Sequence, residues 1–350
     1  MYIVIFLIIM FIGFYLFRLH SLKAKLDDPI CVAASLVIYV IEQDIEIEAR
    51  YRYFILEQLL TFLNLSTKDL KEVYSASYVL IKKRNAYESY AEKIKATVQS
   101  LTFEQRKSLD KLLVRCSIFN EALTETQTER LNAVRLLLTQ CVEPSQKILE
   151  QPEWCQNTKL LDGLKAEIVF LFKQELSTQG ATTSINLPSF PRIVEEQATT
   201  EEALLNIDGL YDYYRQVGDV AEQANLAFYE VSYFYWMRLW LWHPDEEESI
   251  SFPWYDTLAS MMFFISWLRF DFELENFIDH RQGWSLEAHV SNGVVFIRQL
   301  DDEGEELTNI STPYINLLQS INEVEQRVQR IAYLLFQKGE STPFYYWNGD

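Results

Sequence analysis

The chain has 350 residues, 49% of them hydrophobic, and it carries 31 Lys and Arg against 50 Asp and Glu. Residues 1–150 are nearly neutral, whereas residues 151–350 hold 12 basic and 32 acidic side chains. An acidic domain repels nucleic-acid phosphates, and no basic stripe offsets this charge, so we expect no nucleic-acid partner. A chain of this length usually divides its core, which predicts two soluble domains.

The first 17 residues are apolar and uncharged, and three basic residues follow them by position 25. With the aliphatic stem of Arg18, this run approaches the length that crosses a bilayer core of about 30 Å. It lacks the basic start and the small-residue cleavage site of a secretory signal. Residues 1–20 are therefore predicted to be a transmembrane anchor in the lipid bilayer. Because the basic residues follow the span, the positive-inside rule predicts an inner-membrane protein with the bulk of the chain in the cytoplasm.

Motifs for metal or cofactor chemistry are scarce. The four cysteines lack C-x-x-C spacing, and no histidine stands at ligand spacing from any of them: Cys31, Cys116, Cys141 and Cys155. The chain has ten glycines and lacks a G-x-S-x-G turn, a P-loop and a dinucleotide-binding fingerprint. We therefore expect no cofactor and assign no catalytic residue.

The stretch from Pro29 to about Gln140 contains no glycine and repeats its apolar residues every three to four positions. This spacing predicts an all-α domain. Thr124 and Gln127 have the spacing of a capping box at a helix start. One apolar stripe of the predicted core is formed by Leu109, Leu112, Leu113 and Cys116.

A weak internal repeat appears when the chain is shifted by 76 residues, which places Asp44 over Asn120. Residues 28–142 here resemble the TerB-like family, whose helical bundles carry two stretches of an apolar residue, Asp-Gly, any residue, Ile or Leu, and then an acid. Asp44 matches the first Asp, Asn120 stands at the second, and Ile45 and Glu121 replace the glycines. The resemblance implies a role in stress such as tellurite or phage attack, in a membrane-tethered assembly. An anchor followed by such a bundle also resembles membrane-bound DnaJ-like co-chaperones.

Acidic residues of the TerB-like motif are implicated in metal binding in some members, and Asp44 carries over directly. Together with Glu46 and its acidic neighbours, Asp44 has oxygens suited to an ion such as Ca²⁺. A solvated acidic cluster at a helix start explains the same residues, because carboxylates stabilise the positive end of a helix. We favour the second interpretation and assign no metal site.

The remaining residues are interpreted as two segments. Residues 143–206 are expected to form a helix from Leu160 to Leu176 and then a Ser/Thr/Pro-rich linker. Residues 207–350 are expected to form an acidic, aromatic-rich α+β domain with helices at about 201–217, 220–242 and 254–280. The predicted fold class is therefore mainly α, with a transmembrane helix, a TerB-like bundle and a C-terminal domain that has a small antiparallel sheet.

The small sheet is predicted because the spacing of apolar residues changes from a helical to a strand period after residue 284. Asn292-Gly293 is a strong signal for a two-residue hairpin turn. This turn pairs Ser291 with Val294 and sets Glu287 opposite Arg298. The same register places five apolar residues on one face: Leu286, Ala288, Val290, Val295 and Ile297. A third strand near Leu307 to Ile310 and a closing helix from Pro313 to about Gln337 are expected to follow.

The segment from Leu226 to Trp242 is nearly all apolar and rich in aromatic residues. It is short for a second membrane span and contains Glu230 and Arg238, which are costly at the middle of a bilayer. We interpret it as a core helix, or as a surface that recognises a protein partner through large aromatic side chains. The candidate partner-binding residues are Tyr235, Trp236, Trp240 and Trp242.

Two further patterns suggest other activities. The acidic residues from Asp271 to His280 include Glu275 and Asp279, which share a face if this segment is helical and could then hold a divalent metal beside His280. This pattern supports a metal-dependent hydrolase, although a solvated acidic face explains it more simply.

The tripeptide His243-Pro244-Asp245 is the signature of a J-domain. In a J-domain it follows a basic helix, whereas here the preceding segment has Arg238 as its single cation, and three glutamates follow the tripeptide. An Hsp70 co-chaperone therefore remains an alternative. The leading prediction is a single-pass, membrane-anchored interaction or scaffold protein in a bacterial stress, defence or envelope-associated complex.

Overall fold

The computed structural model describes residues 98, 101–118, 124–140, 149–178, 181–188, 196–281 and 284–348. The chain divides into two compact units, Met1–Glu143 and Pro144–Asp350. About half of the described residues are helical, and strands of a mixed sheet account for much of the rest. The prediction of a mainly α chain is therefore wrong.

Two helices are described in the N-terminal unit, α1 at Phe103–Ile118 and α2 at Glu125–Gln140. The capping box is confirmed at the start of α2, because the Thr124 N–H donates to Gln127 Oε1 at 2.9 Å and the Gln127 N–H donates to Thr124 Oγ1 at 3.3 Å. The predicted apolar stripe is buried at all four positions: Leu109, Leu112, Leu113 and Cys116.

Several predictions concern residues outside the described ranges. These are the anchor at residues 1–20, most of the proposed TerB-like bundle, and the weak metal candidates Asp44 and Glu46. Among the helices that the structure does describe, none combines the length and the apolar character needed to cross a bilayer.

The C-terminal unit is built from eleven strands and six α-helices in its described residues. The strands are β1 Lys159–Leu160, β2 Lys165–Leu171, β3 Glu175–Thr178, β4 Ala181–Ser184, β5 Gln197–Ala198, β6 Met237–Trp242, β7 Ser249–Ser251, β8 Phe277–Arg281, β9 Trp284–Ser291, β10 Val294–Leu300 and β11 Glu306–Pro313. The helices are α3 Thr200–Leu205, α4 Ile207–Gln223, α5 Phe228–Val231, α6 Leu258–Ser266, α7 Tyr314–Gln337 and α8 Thr342–Asn348. Short 3₁₀ turns occur at Glu153–Asn157 and Ser232–Tyr235, and a π-helical turn at Trp267–Asp271.

A five-stranded sheet has the order β1-β11-β10-β9-β8, in which only the β1–β11 pair is parallel. The predicted hairpin register is confirmed, since Ser291 pairs with Val294 and Glu287 with Arg298. Arg298 also donates two hydrogen bonds to Glu287 Oε2, at 3.0 and 2.8 Å. The sheet is larger than expected because β1 and β8 extend it at both edges.

A four-stranded antiparallel sheet has the order β5-β2-β6-β7. Two predicted helices are wrong here, because Leu160–Leu176 contains strand β2 and the segment 220–242 ends in strand β6. Strands β2 and β6 are rich in branched and aromatic residues, which fit a pleated surface, and each pairs with a strand distant in sequence. The segment interpreted as helix and linker therefore contributes strands to both sheets.

The third predicted helix, at 254–280, is also wrong over most of its length. Helix α6 ends at Ser266, a π-helical turn follows, and residues from Phe277 onward form strand β8. The closing helix is confirmed as α7, which begins directly after Pro313. Helix α7 has buried residues from Tyr314 to Leu335 and packs against β2, β11, α3, α4, α6 and α8, so it is the central helix of the C-terminal unit.

Candidate interaction surface

Strand β6 divides its side chains between two environments. Met237, Leu239 and Leu241 are completely buried, whereas the residues that alternate with them are half-buried: Arg238, Trp240 and Trp242. Successive side chains of a strand point to opposite faces, so the second set lies together on one face of the four-stranded sheet. This face carries two indoles where most surface strands carry short polar side chains.

The two indoles form a stacked pair. Their ring centroids are 5.5 Å apart and the ring planes differ by 17°. Lys165 pairs with Trp242 across the β2–β6 ladder, and its Nζ lies 5.9 Å from the Trp242 ring, close enough for a cation–π attraction. We call Arg238, Trp240, Trp242 and Lys165 the indole face.

Small side chains border the indole face on the β7 side. Ser251 lies opposite Trp240 and Ser249 lies opposite Trp242. Both serines are half-buried, and the residue between them, Ile250, points into the core. Because a serine covers little of a neighbouring indole, the rings remain accessible from this side.

The β2 side is bordered by a closed polar network. Glu167 lies opposite Trp240 and is 6% exposed. Its Oε1 accepts from the Thr200 hydroxyl at 2.7 Å, and Arg327 of α7 lies 3.4 Å from its Oε2. The carboxylate is therefore engaged within the fold, and this network fixes one edge of the indole face.

Arg238 lies at the other end of the indole pair from Lys165. Its Nε is buried and donates to no acceptor among the described residues. Asp256 is near enough for the Arg238 charge to lower its pKa, but burial outweighs that effect and raises the pKa of Asp256 above its usual value. Arg238 thus interacts electrostatically with Asp256 but forms no ion pair with it.

The other two candidate partner-binding residues, Tyr235 and Trp236, are not part of the stacked pair. Tyr235 is 2% exposed, and its ring stacks on Tyr214 with the centroids 4.9 Å apart. Burial raises the pKa of Tyr235 well above its usual value, as expected for a core phenol. Trp236 is half-buried and its ring lies 6.3 Å from that of Tyr233. Trp240 and Trp242 form the stacked pair, and neither Tyr235 nor Trp236 makes a ring contact with it.

The predicted carboxylate cluster is not assembled. Residues 277–281 form a strand, so Glu275 and Asp279 do not share a helix face. Asp279 is buried and its Oδ2 accepts from Trp254 Nε1 and from the Tyr255 hydroxyl, both at 2.9 Å, whereas Glu275 and His280 are exposed. Across the described part of the chain, no three His, Cys, Asp or Glu side chains converge as metal ligands.

The J-domain tripeptide lies in the turn between β6 and β7, so a strand precedes it where a J-domain has a helix. His243 Nε2 is 3.0 Å from the Asp162 carbonyl oxygen, and the Asp245 N–H donates to His243 Nδ1 at 3.2 Å. These bonds give the histidine a structural role in closing the turn.

Sequence reasoning found both indoles but not the cations beside them. The sequence predicts Arg238 as the single cation of a helix and places Lys165 in a different segment. The signal for β6 was the alternation in Met-Arg-Leu-Trp-Leu-Trp at positions 237–242. Because the outward-facing residues include two tryptophans, the alternation of buried and outward-facing side chains does not appear as an alternation of apolar and polar residues.

Comparison with known proteins adds no relative. The chain matches no protein-family model, no curated protein and no solved structure. The resemblance of residues 28–142 to the TerB-like family stays a prediction from the sequence. What the C-terminal unit does must therefore be inferred from the indole face itself.

Proposed function

We propose that the chain is a membrane-anchored interaction protein whose C-terminal unit binds a protein partner through the indole face. The supporting observation is the half-buried, stacked pair Trp240 and Trp242 between serines on one side and a closed ion-pair network on the other. Tryptophan is enriched among the residues that dominate the binding energy of protein interfaces. A rim of polar groups around such anchors is the usual arrangement of a protein-binding surface.

The proposed setting is a stress, defence or envelope-associated complex at the bacterial inner membrane. The apolar run at residues 1–20 would hold the protein on the bilayer, with both units in the cytoplasm. Tethering raises the local concentration of a partner on the same membrane, so a modest affinity is sufficient for assembly.

Capture of partners from detergent-solubilised membranes tests the binding role. Full-length wild type, Trp242→Ala and Trp284→Ala are compared by quantitative mass spectrometry after matched purification. Trp284 is the control because it is 42% exposed but lies on β9 of the other sheet. Loss of a hot-spot tryptophan commonly costs about 2 kcal/mol or more, a decrease in affinity of roughly 30-fold.

We expect Trp242→Ala to lose specific partners that wild type and Trp284→Ala retain, with all three proteins folded by circular dichroism. Asp245→Asn, which alters the J-domain tripeptide, is expected to retain them too. Equal capture by wild type and Trp242→Ala would contradict the proposal, and selective loss with Asp245→Asn would favour the co-chaperone alternative.

Membrane attachment is tested separately. The paired substitution Ile8→Lys and Phe11→Lys places two charges within the apolar run and is expected to release the protein from carbonate-washed membranes, because each charge is costly in the bilayer core. Ile8→Leu is the matched control and is expected to stay bound. A charged variant that remains in the membrane pellet would show that residues 1–20 are not the anchor.

A further inference from the structure

We propose that the indole face binds an acidic, extended segment of the partner, in which two carboxylates flank an apolar side chain. This inference rests on the proposed function and adds the chemistry of the occupant. Three observations support it: the face carries two cations, these cations are spaced along β6, and they lack the ion pairs that most other cations of the unit form.

The cations of the indole face differ from most others in this acidic unit because no described residue forms an ion pair with either of them. Six other cations of the C-terminal unit each form an ion pair with an acid. The ion pairs are Lys159 with Glu246 and Glu248, Arg215 with Asp212, Arg269 with Glu325, Arg298 with Glu287, Arg327 with Glu167, and Lys338 with Asp208. In a segment with 32 acids and 12 bases, two unmatched cations on one aromatic face mark the place that favours an anionic group.

No described acid forms an ion pair with a cation of this face. Glu167 lies opposite Trp240, but its carboxylate is buried and engaged by Thr200 and Arg327. Asp256 is close enough to Arg238 for the Arg238 charge to affect its pKa, but the two side chains form no ion pair. At the β6–β7 turn, Glu246 and Glu248 are both held by Lys159. At each end of the indole pair, a carboxylate from a partner would therefore meet a cation that forms no ion pair with a described residue.

The spacing of the face fits an extended chain. Arg238 and Trp242 are four residues apart on β6, a separation of about 13 Å along a strand, and Lys165 lies beside Trp242. An extended segment has the same rise per residue, so acids at its first and fifth positions reach both cations at once. The third position then lies over the indoles, where an apolar or aromatic side chain buries the most surface.

A protein segment fits these observations better than an anionic membrane. The indoles are half-buried and stacked on each other, whereas insertion into a bilayer needs side chains that protrude from the surface. A flat anionic surface would also meet the acidic residues around the face, such as Asp245 and Glu247, which are exposed on the adjoining turn. A narrow peptide that lies along β6 does not have to cover this turn.

The first experiment measures binding of short capped peptides to the full-length protein in detergent, by fluorescence anisotropy. The probe has two glutamates that flank a phenylalanine, each separated from it by one serine. One control replaces both glutamates with lysine, and another replaces the phenylalanine with serine. We expect the glutamate–phenylalanine probe to bind most tightly, with an affinity that decreases as salt increases. Equal binding of the glutamate and lysine peptides would overturn the proposal.

The second experiment changes the protein. Lys165→Gln and Arg238→Gln are each expected to weaken binding of the glutamate peptide by about two- to fivefold, the range for one exposed charge pair, and to leave the lysine peptide unaffected. Arg215→Gln is the matched control because it removes the same charge from an exposed side chain of α4 that is not part of the indole face. Each variant is checked by thermal melting, and Lys165 is exposed, so its substitution leaves the fold intact.

The outcomes separate this inference from the proposed function. If Trp242→Ala loses partners while Lys165→Gln and Arg238→Gln bind every probe as wild type does, the surface is an interface but its occupant is not acidic. If Trp242→Ala also keeps its partners, both proposals fail. Tight binding to phosphatidylcholine vesicles with about 30% phosphatidylserine, and none to the glutamate peptide, would show that the face binds an anionic membrane and not an acidic peptide.

Discussion

Trp347 lies in α8, the last described helix, yet its indole is completely buried and its Nε1–H donates to the carbonyl oxygen of Tyr235 at 2.7 Å. The ring also packs against Phe170 of β2 and Tyr214 of α4, with centroid distances of 5.3 and 5.8 Å. A helix that follows the central α7 is thereby fixed to the 3₁₀ turn that leads into β6. The position of the indole face depends on this contact.

We predict that Trp347→Ala decreases the free energy of unfolding of the C-terminal unit by about 3–5 kcal/mol, the usual cost of removing a buried large aromatic side chain. Urea denaturation followed by tryptophan fluorescence measures this, because all eight tryptophans lie in that unit. Tyr345→Ala, a control on the same helix at a 47% exposed residue, is expected to cost much less. Equal effects of the two substitutions would show that α8 does not contribute to the core.

The buried ion pair of Arg269 and Glu325 leads to a second prediction. Arg269 is completely buried in the π-helical turn and donates to Asn322 and Glu325 of α7. Glu325→Gln is expected to destabilise the unit by about 3–5 kcal/mol, because it removes the charge of a buried ion-pair partner of the Arg269 guanidinium. The double variant Arg269→Met and Glu325→Leu is expected to recover most of that loss in urea denaturation. A cost below about 1 kcal/mol, as for an exposed pair, would contradict this account.

A pH dependence is expected from His289. It is 1% exposed, its Nδ1 lies 2.7 Å from Asn276 Oδ1, and burial lowers its pKa from the ordinary value of 6.5. The unfolded chain then binds more protons than the folded chain between the folded pKa and 6.5, so stability decreases as the pH falls through this window. We expect His289→Gln to show a smaller decrease in unfolding free energy than wild type between pH 7 and pH 5. Parallel curves for the two proteins would rule out this histidine as the cause.

The hairpin turn predicts that Gly293→Ala destabilises the fold, whereas the control substitution Gly218→Ala stabilises it. Asn292 and Gly293 have φ values of 53° and 75°, a conformation that disfavours side chains. Nothing lies within 4 Å of a Cβ built on Gly293, so Gly293→Ala is expected to cost about 1 kcal/mol from the backbone alone. Gly218 in α4 is equally unobstructed, and Gly218→Ala is expected to stabilise by about 0.5–1 kcal/mol. Thermal melting compares the two, and equal signs would refute the turn assignment.

The same turn explains which parts of the fold the sequence predicts. Asn292-Gly293 determines its conformation locally, and the alternation on either side then determines the register, so the pairing of Glu287 with Arg298 follows from neighbouring residues alone. Helix α7 is equally predictable from the sequence because Pro313 marks its start and its apolar residues keep the helical period. Both elements depend on interactions within a short stretch of chain.

Strands β2 and β6 were missed because they depend on each other. Ile168, Val169 and Phe170 of β2 are all buried, and a continuous apolar run does not distinguish a strand from a buried helix. The indoles on β6 were recognised as a candidate surface from their residue type. Lys165 was not, because its place beside Trp242 exists only after β2 and β6 pair.

Site-specific photo-crosslinking is the most direct test of the indole face as a binding surface. A benzophenone side chain is placed at Ser251, which lies opposite Trp240, and in a second protein at Leu205, which is 87% exposed on α3. If exposure alone determined crosslinking, Leu205 would react more. We predict that irradiation of intact cells joins the Ser251 variant to a discrete partner, that Trp242→Ala abolishes the product, and that the Leu205 variant gives none. A product from Leu205 and none from Ser251 would contradict the account.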